Sequence, residues 1–308
     1  MKLSRSIFAT LVLLAFPGQS WADGELELQQ VTQDVYAIVG ELGNRTRGNL
    51  ANNATFGFVV TTEAVVLIDS GGTYQGARNI DRLIKTVTDK PIATVINTGG
   101  QDHRWLGNGY FKKKGAQIIA SEKAVLDQKN RAQDQFIALA NLVGNEMISD
   151  TNAVFADKTF AAQFEFKMGE TLFEIHHPGQ AHTPGDSYVW LPQKEVMFTG
   201  DIVYVERMLG VGAQSSSKSW ISAFEAMAAH QPQYLIPGHG KATNLAQARN
   251  DTYDYLVFLR KSVGNFIENG GDISDIGSVD QSNYSYLLNY DSISGRNAQQ
   301  VFTEMEWE

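Results

Sequence analysis

The sequence has 308 residues, no cysteine and a formal net charge of −9. Without cysteine, an oxidising compartment gives the chain no disulfides, so its core alone must hold it folded. An acidic chain lacks the basic footprint that phosphate-backbone binding requires, which excludes nucleic acid as an expected partner. The one basic run, Lys112-Lys113-Lys114, reads as a solvated helix end.

Met1-Lys2-Leu3-Ser4-Arg5 precedes an apolar stretch over residues 7–16 and the small-residue site Ser20-Trp21-Ala22. This is the pattern of a cleavable signal peptide over residues 1–22, and it predicts a periplasmic or secreted protein. The apolar stretch falls short of the ~20 residues a permanent span needs, and no later stretch approaches that length. Residues 23–308 are expected to form one domain with a polar tail from about residue 272, long enough to bury a large core.

Short β-branched and aromatic runs at residues 35–39, 56–60 and 64–69 predict strands. The first two are separated by a loop rich in Gly and Asn over residues 40–55, long enough to be a flap over a site. Ala77, Ile80, Leu83, Ile84 and Val87 recur at helical spacing, and residues 92–96 read as the next buried strand. Strand, helix, strand implies a parallel crossover. The alternation continues with a strand at 117–120 and a helix from 122 to about 143. Weaker strand signals follow at 159–166 and 171–175, then a hairpin at 187–191 and 195–198 joined by Pro192-Gln193-Lys194. Trp220, Ile221, Phe224, Met227 and Ala228 mark an amphipathic helix, residues 234–236 a short strand, and residues 246–267 a long helix stopped by Gly270-Gly271. One further helical pattern lies in the tail at Ala298, Val301, Phe302 and Met305. The chain is therefore α/β, and periodicity alone leaves an αβ/βα sandwich and a doubly wound sheet both open.

Six histidines occur, and four candidate groups sit just beyond strand runs, where α/β folds aim side chains at one point. Asp102 and His103 follow the strand ending in Asn97. His182 follows residues 173–175 through a Gly- and Pro-containing loop, Asp201 follows residues 196–200, and His239 follows residues 235–238. Imidazole and carboxylate donors together suit a zinc-like or iron-like ion. His230 is expected to be structural, while His176-His177 reads either as strand-end packing or as a replacement ligand. Trp105, Tyr204, Met208 and Leu209 are expected either in the core or along an apolar pocket.

The succession Asp102-His103, Gly179-Gln180-Ala181-His182-Thr183-Pro184-Gly185-Asp186, Phe198-Thr199-Gly200-Asp201 and Pro237-Gly238-His239-Gly240 resembles the ordered motifs of the metallo-β-lactamase superfamily from about residue 35 to residue 266. The resemblance implies a four-layer αβ/βα sandwich and a metal site of Asp102, His103, His182, Asp201 and His239. Two-metal members carry His-x-His-x-Asp-His after the strand ending in Asn-Thr; here the chain reads Asn97-Thr98-Gly99-Gly100-Gln101-Asp102-His103. Aligned on Asp102-His103, Thr98 and Gly100 replace the two leading histidines. Aligned on Asn97-Thr98, one residue is missing and Gly99 takes the first position.

Either register implies at most one tightly held ion, expected to be zinc, with iron or manganese as alternatives. The expected function is an exported metal-dependent hydrolase of an ester, thioester, lactone or amide, working through metal-bound hydroxide on a small-molecule substrate, with Asp102 orienting the water or taking its proton. A binding or accessory protein on a degenerate scaffold is the second reading, because one fold hosts many functions.

Overall fold

The structure, a computed structural model, describes residues 26–308; the expected signal peptide lies outside the described residues. Strands β1 (Glu27–Thr32), β2 (Val35–Val39), β3 (Thr55–Val60) and β4 (Val65–Ile68) form an antiparallel meander. Helix α1 (Tyr74–Ile84) then crosses over to β5 (Ile92–Asn97), parallel to β4. Its start is fixed by Thr73, whose side chain accepts the Gly76 N–H. Two short helices, α2 (Asp102–Trp105) and α3 (Asn108–Lys113), lead to β6 (Gln117–Ser121), again parallel. Helices α4 (Glu122–Val143) and α5 (Asn145–Ile148) precede β7 (Lys158–Phe160), which closes a seven-stranded sheet in sequence order.

The second sheet begins at once with β8 (Gln163–Met168), β9 (Thr171–His176), β10 (Tyr188–Leu191) and β11 (Val196–Phe198), all antiparallel. Helix α6 (Ser217–Ala228) connects β11 to β12 (Tyr234–Ile236), which adds parallel at the edge. The single strand read from residues 159–166 is thus two strands in different sheets. Its signal was weak because the outer strand β8 alternates exposed and half-buried residues and gives little apolar run. The strand β1 had no sequence signal for a similar reason, since no residue in it is fully buried.

Helices α7 (Leu245–Ala248) and α8 (Asp254–Glu268) are joined by one π turn over Arg249–Tyr253, so the long helix predicted over 246–267 is interrupted there. Helix α9 (Tyr290–Met305) ends the fold. It is no loose tail: Ala298, Val301 and Phe302 are buried against Tyr255, Leu259 and Val263 of α8.

Two sheets face each other across a core of Val66, Ile68, Ile96, Phe173, Val189, Phe198 and Ile236. Helices cover both outer faces, α1 and α3 on the first sheet and α6, α8 and α9 on the second. Strand β4 shows why its sequence is apolar without a break. Val66 and Ile68 enter the inter-sheet core while Val65 and Leu67 meet α1, so both faces are covered. The architecture is the αβ/βα sandwich. Among the described residues no helix is long and apolar enough to cross a membrane.

Candidate metal centre and its arginines

The carboxyl ends of the parallel strands β5, β11 and β12 converge where the two sheets meet, tied by the Thr55 N–H donating to Gly238 O at 2.7 Å. One turn of helix after β5 carries His103 and Arg104. A tight turn after β11 carries Asp201, made possible by Gly200 at φ +50°. Pro237-Gly238 delivers His239 from β12. The Nε2 atoms of His103 and His239 each lie 3.3 Å from an oxygen of Asp201, on Oδ2 and Oδ1 respectively. The three donors fall within 4.8 Å of one another, and all three residues are buried.

Arg104 underlies this cluster. It is fully buried, and its guanidinium donates to Asp201 Oδ1 at 2.7 Å, Asp201 Oδ2 at 3.2 Å, Asp69 Oδ2 at 2.9 Å, Thr55 O at 3.0 Å and Gly238 O at 2.9 Å. Asp69 is anchored in turn by the Thr98 backbone and hydroxyl at 2.7–3.0 Å. Burial alone would raise the pKa of Asp201, but the charge of Arg104 and the hydrogen bonds from His103 and His239 hold it well below the usual carboxylate range. For Asp69 burial prevails over Arg104 and pushes the carboxyl up to about 6.

Burial keeps both imidazoles neutral, with His103 brought down to about 4 and His239 well below its ordinary value. Their tautomers follow from their neighbours. Arg45 Nη2 lies 3.0 Å from His103 Nδ1, and Arg207 Nη1 lies 3.3 Å from His239 Nδ1. A guanidinium only donates, so each Nδ1 accepts and each Nε2 carries the ring proton toward Asp201. In His182 the assignment is reversed: Nδ1 donates to Gly210 O at 2.9 Å, which leaves the Nε2 lone pair free. Burial lowers its pKa as well.

Of the five residues expected to meet, His103, Asp201 and His239 do so. His182 lines the same cavity but stands outside the three-donor cluster. The Asp102 carboxylate turns away to pair with Arg45, its Oδ1 lying 3.5 Å from His103 Nδ1. Counting straight on from Asn97-Thr98 explains the arrangement and corrects the expected missing residue, which arises only when Asp102-His103 is matched to the motif's last pair. The six positions of His-x-His-x-Asp-His then fall on Gly99 to Arg104 with no gap, so His103 stands in the place of the aspartate and Arg104 in that of the final histidine. The places of the two leading histidines fall to Gly99 and Gln101. A Cβ on Gly99 would sit 2.5 Å from Asp186 Oδ1, and one on Gly100 would overlap the Asp127 carboxylate, which Arg131 holds from the next turn of its helix.

Tyr204 is buried and stacks on His239 with ring centroids 4.5 Å apart, whereas Trp105, Met208 and Leu209 belong to the core. His230 accepts from or donates to Tyr188 Oη at 3.1 Å, and His176 stacks on Tyr188, both away from the cluster. The loop over residues 40–55 does lie over the site: Arg45 and Asn53 line the cavity and Gly43 O faces Arg207. Sequence reasoning missed Arg45, Arg104, Arg207 and Arg296. Only Arg104 carried a signal, the gapless count of the motif.

The donor set fits one ion. A tetrahedral ion with bonds of about 2.1 Å separates its donors by roughly 3.4 Å; each Nε2 here stands 3.3 Å from one of the two Asp201 oxygens and the three donors lie within 4.8 Å, so an ion would draw the set slightly closer. Two neutral imidazoles and an ionised carboxylate are the required protonation states. For both Nε2 atoms to bind, their protons must pass to Nδ1 and the guanidiniums of Arg45 and Arg207 must turn aside. Asp102 is placed to accept the proton on His103 Nδ1. Among the described residues no second group of three donors occurs.

Residues 51–239 match the family model described as the metallo-beta-lactamase superfamily. The chain is similar to a protein named metallo-beta-lactamase type 2 from Elizabethkingia meningoseptica, at 25% identity over 59% of this chain and 67% of that protein. A protein of the same name from Bacillus sp. (strain 170) is 22% identical over 71% of this chain and 77% of its own. The solved structure of a metallo-beta-lactamase from Pontibacter korlensis superimposes with a TM-score of 0.59 at 21% identity, covering 76% of this chain and 99% of that one. At that identity the likeness speaks for the fold.

Proposed function

The chain belongs to the metallo-beta-lactamase superfamily, and on that premise we propose that it is an exported hydrolase of a small ester, thioester, lactone or amide, holding one ion, zinc by its donor set. The observation that carries this reading is the convergence of His103, Asp201 and His239 within 4.8 Å, with both imidazoles lining an open cavity. Such an ion, when bound, supplies Lewis-acid polarisation and acidifies water.

The chain's own residues then divide the work. Arg104 fixes both oxygens of Asp201 so that the carboxylate cannot rotate. Asp102, which does not line this cavity, orients His103 instead of taking the proton of the attacking water. That proton goes to His182, whose Nε2 is an acceptor in the cavity and whose neutral form burial maintains. Tyr204 keeps the ring of His239 in place by stacking.

A second reading, a metal-free binding protein, is favoured by one observation: Arg45 and Arg207 hold the two Nδ1 atoms in the accepting state. Elemental analysis of protein purified without chelator separates the two. One ion per chain, lost in His103→Ala and His239→Ala, is the expected result. No ion in a folded, monodisperse preparation supplied with zinc, iron and manganese would sink the hydrolase reading.

A further inference from the structure

The cavity beside the cluster has a chemical bias that the hydrolysis mechanism leaves unused. It is about 260 Å³, smaller than the ~300–1,000 Å³ typical of sites for drug-sized ligands, and it is walled by Arg45, Arg207 and Arg296 with no carboxylate. Three guanidiniums on one small cavity stand out in a chain of net charge −9. Arg45 comes from the loop before β3, Arg207 from the segment after β11 and Arg296 from α9, so three distant parts of the chain deliver one kind of charge to one place.

Arg45 is neutralised by Asp102. Among the described residues Arg207 and Arg296 have no carboxylate partner. The half-buried Arg207 lies over the Tyr204 ring at 5.9 Å, its hydrogen bonds reach only Gly43 O at 3.4 Å and His239 Nδ1 at 3.3 Å through Nη1, and its buried Nε has no acceptor. A guanidinium withdrawn from water without a counter-charge is an unfavourable arrangement. An oxyanion in the cavity removes the imbalance, because the planar fork matches carboxylate and phosphate oxygens pairwise. Side-chain amides of Asn53, Gln101 and Gln214 complete a wall rich in donors.

We propose that this cavity binds a small molecule through a compact oxyanion, carboxylate or phosphate, gripped by Arg207 and Arg296 with Arg45 beside it. Arg207 and Arg45 also touch the imidazoles of the metal cluster, so the anion lies next to the bond that is cut; that last step rests on the hydrolase reading, whereas the anion site does not.

Isothermal titration calorimetry on the full chain, before and after dialysis against EDTA, tests the site with inorganic phosphate, acetate and the neutral isostere acetamide. Phosphate or acetate is expected to bind, more weakly as salt rises, with at least a tenfold loss in Arg207→Gln and a several-fold loss in the exposed Arg296→Gln. Arg82→Gln, on α1, is expected to change nothing, and EDTA is expected to leave the affinity intact. Tighter binding of phosphate than acetate assigns a phosphate ligand, and the reverse order a carboxylate. Acetamide binding as well as acetate, or affinity lost with EDTA but unchanged in both arginine variants, would overturn the proposal. Anion binding without turnover of any ester would remove the hydrolase reading alone.

Discussion

Replacing Arg104 by methionine tests whether the guanidinium is the keystone beneath the cluster. Methionine keeps an unbranched side chain of similar reach and deletes the charge and five hydrogen bonds. Two carboxylates, Asp69 and Asp201, are then left buried without their cation, and the carbonyls of Thr55 and Gly238 lose a donor. Removing one partner of a buried ion pair costs about 3–5 kcal/mol, and the carbonyl losses overlap with that figure because the same group makes all the bonds. Against a total stability of roughly 5–15 kcal/mol, this is a large fraction. At roughly 2–4 °C per kcal/mol for a domain of this size class, the melting temperature should fall by roughly 6–20 °C. Urea denaturation followed by circular dichroism measures the change directly. A loss below about 1 kcal/mol, the worth of an exposed pair, would refute the argument that Arg104 balances both carboxylates. The double variant Arg104→Met with Asp69→Asn should recover part of the loss, since one of the orphaned charges is gone.

Two further expectations concern residues around the cluster. Asp102→Asn should weaken metal binding by about 10–100-fold, the usual effect of removing a partner that orients a ligating histidine, as read by competition with a chromogenic chelator; unchanged affinity would leave Asp102 only the buried ion-pair partner of Arg45. Burial, followed by the charge of Asp201, pushes the Asp186 carboxyl up to about 8. Between the ordinary carboxylate value and that pH the folded state holds a proton that the unfolded state releases, so this group's contribution is fully present below pH ~4 and is lost as pH rises toward 8. Asp186→Asn should therefore gain in melting temperature relative to the parent as pH goes from 5 to 8, and parallel curves would show that the carboxyl is ionised throughout.

Much of the architecture was readable because strands covered on both faces, such as β4 and β5, leave uninterrupted apolar runs. The order of Asp201 and His239 behind strand ends was readable for the same reason, with glycines marking the turns. What escaped was of two kinds. Edge strands β1 and β8 bury too little to imprint a pattern, and the four arginines are polar residues whose meaning depends on charges brought from other parts of the chain. Arg104 illustrates the second kind. It is adjacent to a recognised ligand, yet a buried guanidinium becomes intelligible only once Asp69 and Asp201 are seen on either side of it. Helix α9 lies between the two cases: its apolar positions were visible, but its part in walling the cavity through Ile293, Arg296 and Asn297 was not.

The glycines at positions 99 and 100 make the donor set of this site hard to enlarge by single substitutions. With the neighbouring carboxylates of Asp186 and Asp127 already lodged in the space a side chain would need, restoring an imidazole at Gly99 means relocating a second residue in the same step. Each such change made alone would strain the fold before it offered any chemistry, so building a second donor set into this chain requires paired substitutions, whereas its arginines already stand in place.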